Sequence, residues 1–275
     1  MLTAFTIEDK TEQIWYKRLI NLLKHDEIKV KINQVSSIAL RHIIYVSKRG
    51  KINYKAIDRK ADLKSQIIIC GKDVFFPPRY SVKRFFGHAF TGRMCINMML
   101  DILMKSKDCG RISVGLYDLT GVHANVLRKL LKYTSNVKVV TNAVDQYMYV
   151  SELIMEEQGA SVFVSQDEKS LADCTVVISP DKIFRFIPAA QNCIVLTSVK
   201  PAVCLSGLVY YKYSFEMPKV FEEVKPQELS DDYFCNALYT LEQQYDLGTI
   251  VPKGCYNESS SQTTASIIGH IRACL

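Results

Sequence analysis

The chain of 275 residues has no uninterrupted apolar run approaching the roughly 18 to 20 residues that a membrane-spanning helix requires, so it is not read as an integral membrane protein. Its nine cysteines, at 70, 95, 109, 174, 193, 204, 235, 255 and 274, never fall in a C-x-x-C spacing and show no repeated interval, which leaves metal binding with little support. Several stand inside apolar runs such as IIIC (67–70) and NCIVL (192–196), where a thiol behaves as a small hydrophobe. The G-x-S-x-G, P-loop, H-E-x-x-H and EF-hand patterns are missing, and hydrolase, kinase and metalloprotease readings lose support with them. Zinc-finger spacing and RNA-recognition aromatic motifs are also missing, so a nucleic-acid partner is not expected. The N-terminal MLTAFTIEDKTEQIWYKR carries acids and no long apolar core, unlike a secretory signal, and a cytoplasmic protein is expected.

The balance of 48% hydrophobic and 23% charged residues can fill a core and is too apolar for disorder. At about 150 residues per domain the length suggests two. Charge is divided unevenly. Residues 1–110 hold 21 basic and 10 acidic side chains, a net +11, while 111–275 hold 14 and 18, a net −4. Such asymmetry marks either a surface for an anionic ligand or two parts that dock electrostatically.

Apolar residues at helical spacing predict amphipathic helices over 8–25 and 33–48, the second from Val35, Ile38, Ala39 and Ile43. A short strand is predicted over 65–70. A third helix, about 91–105, carries Met94, Met98, Met99, Ile102 and Leu103 as a stripe typical of core. From Arg111 the texture alternates. Candidate strands in RISVGLY, NVKVVT, ASVFVS, LADCTVVIS, NCIVLTS and GLVYYKYSF are interleaved with helical VHANVLRKLLKY and AVDQYMYVSELIMEEQG. Continuous Val/Ile-rich strands alternating with helices predict a parallel sheet buried on both faces. Helical patterns return at 231–245 and after the Ser/Thr-rich stretch 257–266.

The segment RISVGLYDLTGVHANVLRKLL resembles the first strand, phosphate loop and helix of the nucleotide-binding Rossmann superfamily. With the helix before it, the Ala-Asp dipeptide opening LADCTVVIS, and NCIVLTS following, residues 90–215 resemble the NAD(P)-binding halves of shikimate dehydrogenase-like and methylenetetrahydrofolate dehydrogenase-like enzymes. The resemblance implies a dinucleotide, NAD or NADP, bound by Gly115, Thr120, Gly121, Val122, Thr141, Asn142 and Ser179. The residues depart from the G-x-G-x-x-G fingerprint, whose glycines make a tight turn, admit the pyrophosphate and pack the helix. Here Gly115 lies within the strand and Gly121 at the helix start. Asp118 would repel a phosphate unless it points away or is itself a hydrogen-bonding or catalytic group. The second strand ends Val140-Thr141-Asn142, with no charge to select between NAD and NADP.

Candidate chemistry concentrates in PPRYSVKRFFGHAFTGR (77–93). Arg79, Lys83, Arg84 and Arg93 could clamp a carboxylate or phosphate substrate, or form a basic loop anchored by Phe85, Phe86 and Phe90. His88 suits proton transfer at neutral pH. Lys182, in Ser179-Pro180-Asp181-Lys182 after the fourth strand, could contact cofactor or substrate, or the tetrapeptide could be an ordinary turn. The expected catalytic set is therefore His88, Asp118 and Lys182.

These observations predict an α/β protein: a basic, mostly helical N-terminal domain over 1–110, a Rossmann-like domain over 111–220, and a helical segment over 221–275 packing back on the first part. The expected activity is NAD(P)-dependent oxidation or reduction of a small anionic substrate. The alternative is a Rossmann-like binding or regulatory protein for another nucleotide or metabolite, without dehydrogenase activity. Neither a membrane nor a metal enters this reading, and a homodimer is compatible with it.

Overall fold

The computed structural model describes residues 1–9, 26–35, 38–47, 52–61, 67–80 and 82–275. The chain begins with β1 (Leu2–Asp9), β2 (Glu27–Val35) and β3 (Ile38–Ser47), then α1 (Tyr54–Ala61), β4 (Ile67–Cys70) and β5 (Lys83–Arg84). Next come α2 (Ala89–Lys105), β6 (Val114–Tyr117), α3 (Leu127–Leu130), β7 (Val137–Val140), α4 (Val144–Gln158), β8 (Phe163–Ser165), β9 (Val176–Ser179), β10 (Ile194–Thr197), β11 (Leu208–Tyr210) and β12 (Lys212–Ser214). The chain ends with α5 (Lys219–Glu222), α6 (Asp231–Leu241), β13 (Gly254–Tyr256), β14 (Ser261–Thr263) and α7 (Thr264–Cys274). Two compact units divide it: 1–87 with 217–244, and 88–216 with 245–275. The sequence reading set its boundary near residue 110, whereas this division falls ahead of α2.

The first unit holds a five-stranded sheet in the order β2-β3-β1-β4-β5. Pairing is parallel except between β2 and β3, which are antiparallel over their whole length. The expected helix over 33–48 is therefore corrected. Val35, Ile38, Ala39 and Ile43 have helical spacing, but Ile43, Ile44, Tyr45 and Val46 are all buried in succession, the pattern of a central strand covered on both faces. The β-branched Ile43, Ile44 and Val46 and the aromatic Tyr45 fit a pleated sheet better than a helix. Glu8 and Asp9, assigned to a helix over 8–25, end β1, and 10–25 lie outside the described residues. A mostly helical N-terminal part is corrected likewise, because sheet predominates among the described residues of 1–87. Its core joins Phe5, Ile43, Tyr45, Ile57, Ile68, Cys70 and Val74.

The second unit carries the predicted sheet. Six strands, all parallel, lie in the order β11-β10-β9-β6-β7-β8. From β6 the chain adds β7 and β8 outward on one side, then returns to place β9, β10 and β11 on the other. This is Rossmann-like order, with the topological switch point between β6 and β9. The stripe Met94, Met98, Met99, Ile102 and Leu103 of α2 is wholly buried. The segment between β9 and β10 contains no helix, and its Ile183, Ile187 and Ala189 pack with Tyr117, Val140, Leu171, Val177 and Val195 in one cluster.

Two details depart from expectation. The helix foreseen in VHANVLRKLLKY is a 3-10 turn (Ala124–Val126) followed by the single turn α3. The strand foreseen in GLVYYKYSF breaks at Tyr211, whose N–H donates to Tyr256 O. Beyond it β12 leaves the parallel sheet to pair antiparallel with β13.

Candidate functional site

The site is built on the second unit, at the carboxyl ends of β6 and β9. In parallel sheets these ends gather ligands at a switch point, because the following loops diverge and open a crevice. A cavity of about 450 Å³ lies there, lined by His88, Tyr117, Leu119, Thr120, Val122, Asp181, Lys182 and Phe184. Its walls are mostly apolar, with few polar groups, as in small-molecule sites generally.

The loop leaving β6 is closed by its own carboxylate. Asp118 is fully buried. Its Oδ1 accepts from Thr120 N at 3.2 Å, Thr120 Oγ1 at 2.9 Å and Gly121 N at 3.0 Å. Its Oδ2 accepts from His123 N at 2.8 Å and Tyr147 Oη at 2.8 Å. Burial, and then Asp118 itself, push the Tyr147 phenol far above its ordinary pKa, so it remains a donor. A buried carboxylate is tolerable only when its lone pairs are met, and here charge-assisted bonds meet them. Gly121 makes the curl possible at φ +81°, a left-handed conformation that disfavours side chains. A Cβ there would also stand 2.5 Å from Gln146 Oε1 and 2.8 Å from Ala143 Cβ.

The end of β6 sets the register in which this loop compares with the dinucleotide fingerprint. The fingerprint begins immediately after the strand, so counting from Asp118 its three glycine positions hold Asp118, Thr120 and His123. None of the three is glycine, and of them Thr120 lines the cavity. Gly115 is not a loop residue: its Cβ would meet Leu171 Cδ2 at 2.8 Å, with Cys174 Sγ and Val177 Cγ2 at 3.1 Å, so it serves packing inside the sheet. Past β7, buried Thr141 accepts the Ala143 N–H on its own Oγ1, and the Asn142 N–H donates to Leu119 O. The residues present do not fit a dinucleotide held by this loop. The amides that would meet a pyrophosphate are bonded to a carboxylate, which would also repel it.

The loop leaving β9 is different. Ser179 Oγ donates to Asp181 O at 2.9 Å and braces the turn. The Asp181 carboxylate then lies between two imidazoles, His88 Nε2 at 3.8 Å from Oδ1 and His123 Nε2 at 3.8 Å from Oδ2, with Thr120 Oγ1 3.4 Å from Oδ2. The approach of His88 holds Asp181 below the usual carboxylate range; burial opposes this, and His123 and Thr120 add to it. The Lys182 ammonium lies 5.3 Å from the Phe184 ring centroid, and no ion pair of Lys182 is found among the described residues. Sequence reasoning missed Gly92, whose Cβ would fall 2.6 Å from Pro180 O. This close approach of α2 to the β9 turn places His88, one helical turn earlier, beside Asp181.

The expected catalytic residues thus separate. His88 and Lys182 line the cavity, whereas Asp118 is consumed by its loop. Thr120 and Val122 line it too; Gly115, Gly121, Thr141, Asn142 and Ser179 are outside that lining. The four expected anion clamps are not gathered in one unit. Arg79 stacks over Tyr80, Lys83 is exposed, and Arg84 packs its guanidinium over Phe86 and Tyr233, all in the first unit. Arg93 belongs to the second, its Nε donating to Gly248 O at 3.3 Å.

Neither a family model nor a curated protein matches the chain. Among solved structures, L-tryptophan dehydrogenase from Nostoc punctiforme is similar at 12% identity and a TM-score of 0.32, over 100% of this chain and 80% of that one. At that level nothing transfers from one protein to the other. Among the described residues no group of three His, Cys, Asp or Glu side chains could hold a metal ion, and no helix is long and apolar enough to cross a membrane.

Proposed function

We propose that the second unit is a Rossmann-like ligand-binding module whose ligand sits in the cavity between the β6 and β9 loops, and that it does not carry out nicotinamide-dependent hydride transfer. The observation behind this reading is the Asp118 carboxylate seated on the amides of Thr120, Gly121 and His123. In a dinucleotide-binding loop those donors face the pyrophosphate. Asp118, Thr120 and His123 in place of the three fingerprint glycines support the same conclusion. The cavity retains polar groups able to orient a small molecule, and fold alone does not assign chemistry to them.

The second reading is an NAD(P)-dependent oxidoreductase acting on a small anionic substrate, and the strand order favours it. A thermal-shift screen of the intact protein with NAD, NADP, FAD, S-adenosylmethionine, inorganic phosphate and a set of small metabolites separates the two. A ligand at about a hundred times its Kd stabilises by roughly 2.7 kcal/mol. The proposal expects no shift with either nicotinamide and a shift with a small metabolite. A shift with NAD or NADP would restore the oxidoreductase.

A further inference from the structure

We infer that the cleft between the β6 and β9 loops takes a small organic acid: an apolar body bearing one carboxylate. The inference rests on reading this cleft as the ligand site, and it names the ligand's chemistry from the donors left open. Tyr117 is 1% exposed and lines the cavity, yet its hydroxyl is buried with no hydrogen-bond partner among the described residues. Buried hydroxyls are rarely left unbonded, so this donor calls for an acceptor that is not part of the chain. Lys182 supplies a cation on the same wall, resting on Phe184.

The acid of the cleft, Asp181, forms no ion pair with Lys182 among the described residues; its two oxygens face His88 and His123, each at 3.8 Å. Asp118 contributes no free acceptor, since both its oxygens are bonded within the loop. The open polar groups are therefore a hydroxyl donor and an ammonium, which together suit a carboxylate. Leu119, Val122 and Phe184, the last two 72% and 63% exposed, complete the lining and suit an apolar body.

The test uses the intact protein and a matched pair of probes, phenylpropanoate and phenylpropanol, followed by heteronuclear NMR titration of the cleft resonances. The acid is expected to bind at least about tenfold tighter than the alcohol, through a charge-assisted contact. Lys182→Met is expected to abolish that preference, and Tyr117→Phe to weaken the acid several-fold without lowering the melting temperature of the free protein. Equal binding of acid and alcohol would overturn the acid while leaving the cleft as ligand site. Acid binding untouched by Lys182→Met, or no binding of either probe, would also overturn the inference. A parallel titration with NADPH addresses the underlying reading separately: displacement of the Thr120, Gly121 and His123 amide resonances would overturn that reading whatever the acid does.

Discussion

The loops that leave β6 and β9 start at the same end of neighbouring parallel strands, and they meet their polar groups in opposite ways. The first turns inward. Its amides close on Asp118, which is fully buried and accepts five hydrogen bonds. The second turns outward, leaving Lys182 and the Asp181 carboxylate on a cavity wall. An open loop and a self-satisfied loop can thus leave neighbouring strands of one sheet, and a carboxylate at the end of β6 closes the second.

Removing that carboxylate breaks the comparison most severely. Asp118→Ala leaves the Thr120, Gly121 and His123 amides and the Tyr147 hydroxyl without their acceptor, at an expected cost of about 3 to 5 kcal/mol. For a unit of this size that corresponds to a fall of roughly 6 to 20 °C in melting temperature. Gly121→Ala comes next, with about 2 kcal/mol from an unfavourable φ and the contacts with Gln146 and Ala143. Chemical denaturation of the two variants ranks them, and a neutral Asp118→Ala would show that the loop stands without its carboxylate.

On the open side the sign reverses. Tyr117→Phe removes a buried, unbonded hydroxyl and is expected to stabilise the free protein by about 1 kcal/mol. Destabilisation would reveal a partner for that hydroxyl. The smallest effect belongs to Asp181. Its pKa is depressed in the fold, so the stability it adds is present above the unfolded carboxylate value and is lost as pH falls through the lower folded value. With a side chain 41% exposed, solvent screening keeps the contribution below about 1 kcal/mol. Asp181→Asn should therefore match the parent at low pH and trail it slightly near neutrality. A constant gap across that window would contradict the assignment.

Thiol chemistry reports on the core of each unit. Burial raises Cys95, Cys193, Cys235 and Cys255 to about 12, whereas Cys204 and Cys274 are exposed. Alkylation of the native protein at mildly basic pH, read by mass spectrometry, should label Cys204 and Cys274 well before those four.

How far the sequence foretold this arrangement depends on the range of the contacts involved. The strands from Val114 to Thr197 were legible because each is a short Val/Ile-rich run, and the parallel sheet followed from their alternation with helical stretches. β3 was not, since Val35, Ile38, Ala39 and Ile43 satisfy helical spacing, while its place between β1 and β2 and the packing of Ile43 and Tyr45 against Ile57 and Ile68 are set by residues far away in the chain. The role of Asp118 was open among repulsion, hydrogen bonding and catalysis. The direction of its side chain depends on the positive φ of Gly121 and on Tyr147, 29 residues away. Gly115 was read within its strand yet counted among the dinucleotide's contacts; β6 ends at Tyr117, so a glycine fingerprint would begin only at Asp118. The cavity itself joins segments about 60 residues apart through the pairing of β6 with β9, which no local pattern announces.

The most direct measurement follows the backbone amide resonances of Thr120, Gly121 and His123 in the isotopically labelled protein as NADPH or inorganic pyrophosphate is added to millimolar concentration. With Asp118 holding these donors, the three resonances should stay where they are, and their exchange with solvent deuterium should stay slow. Saturable movement of the three together, at micromolar dinucleotide, would mean that the loop releases its carboxylate for a phosphate, and would contradict a loop closed by Asp118.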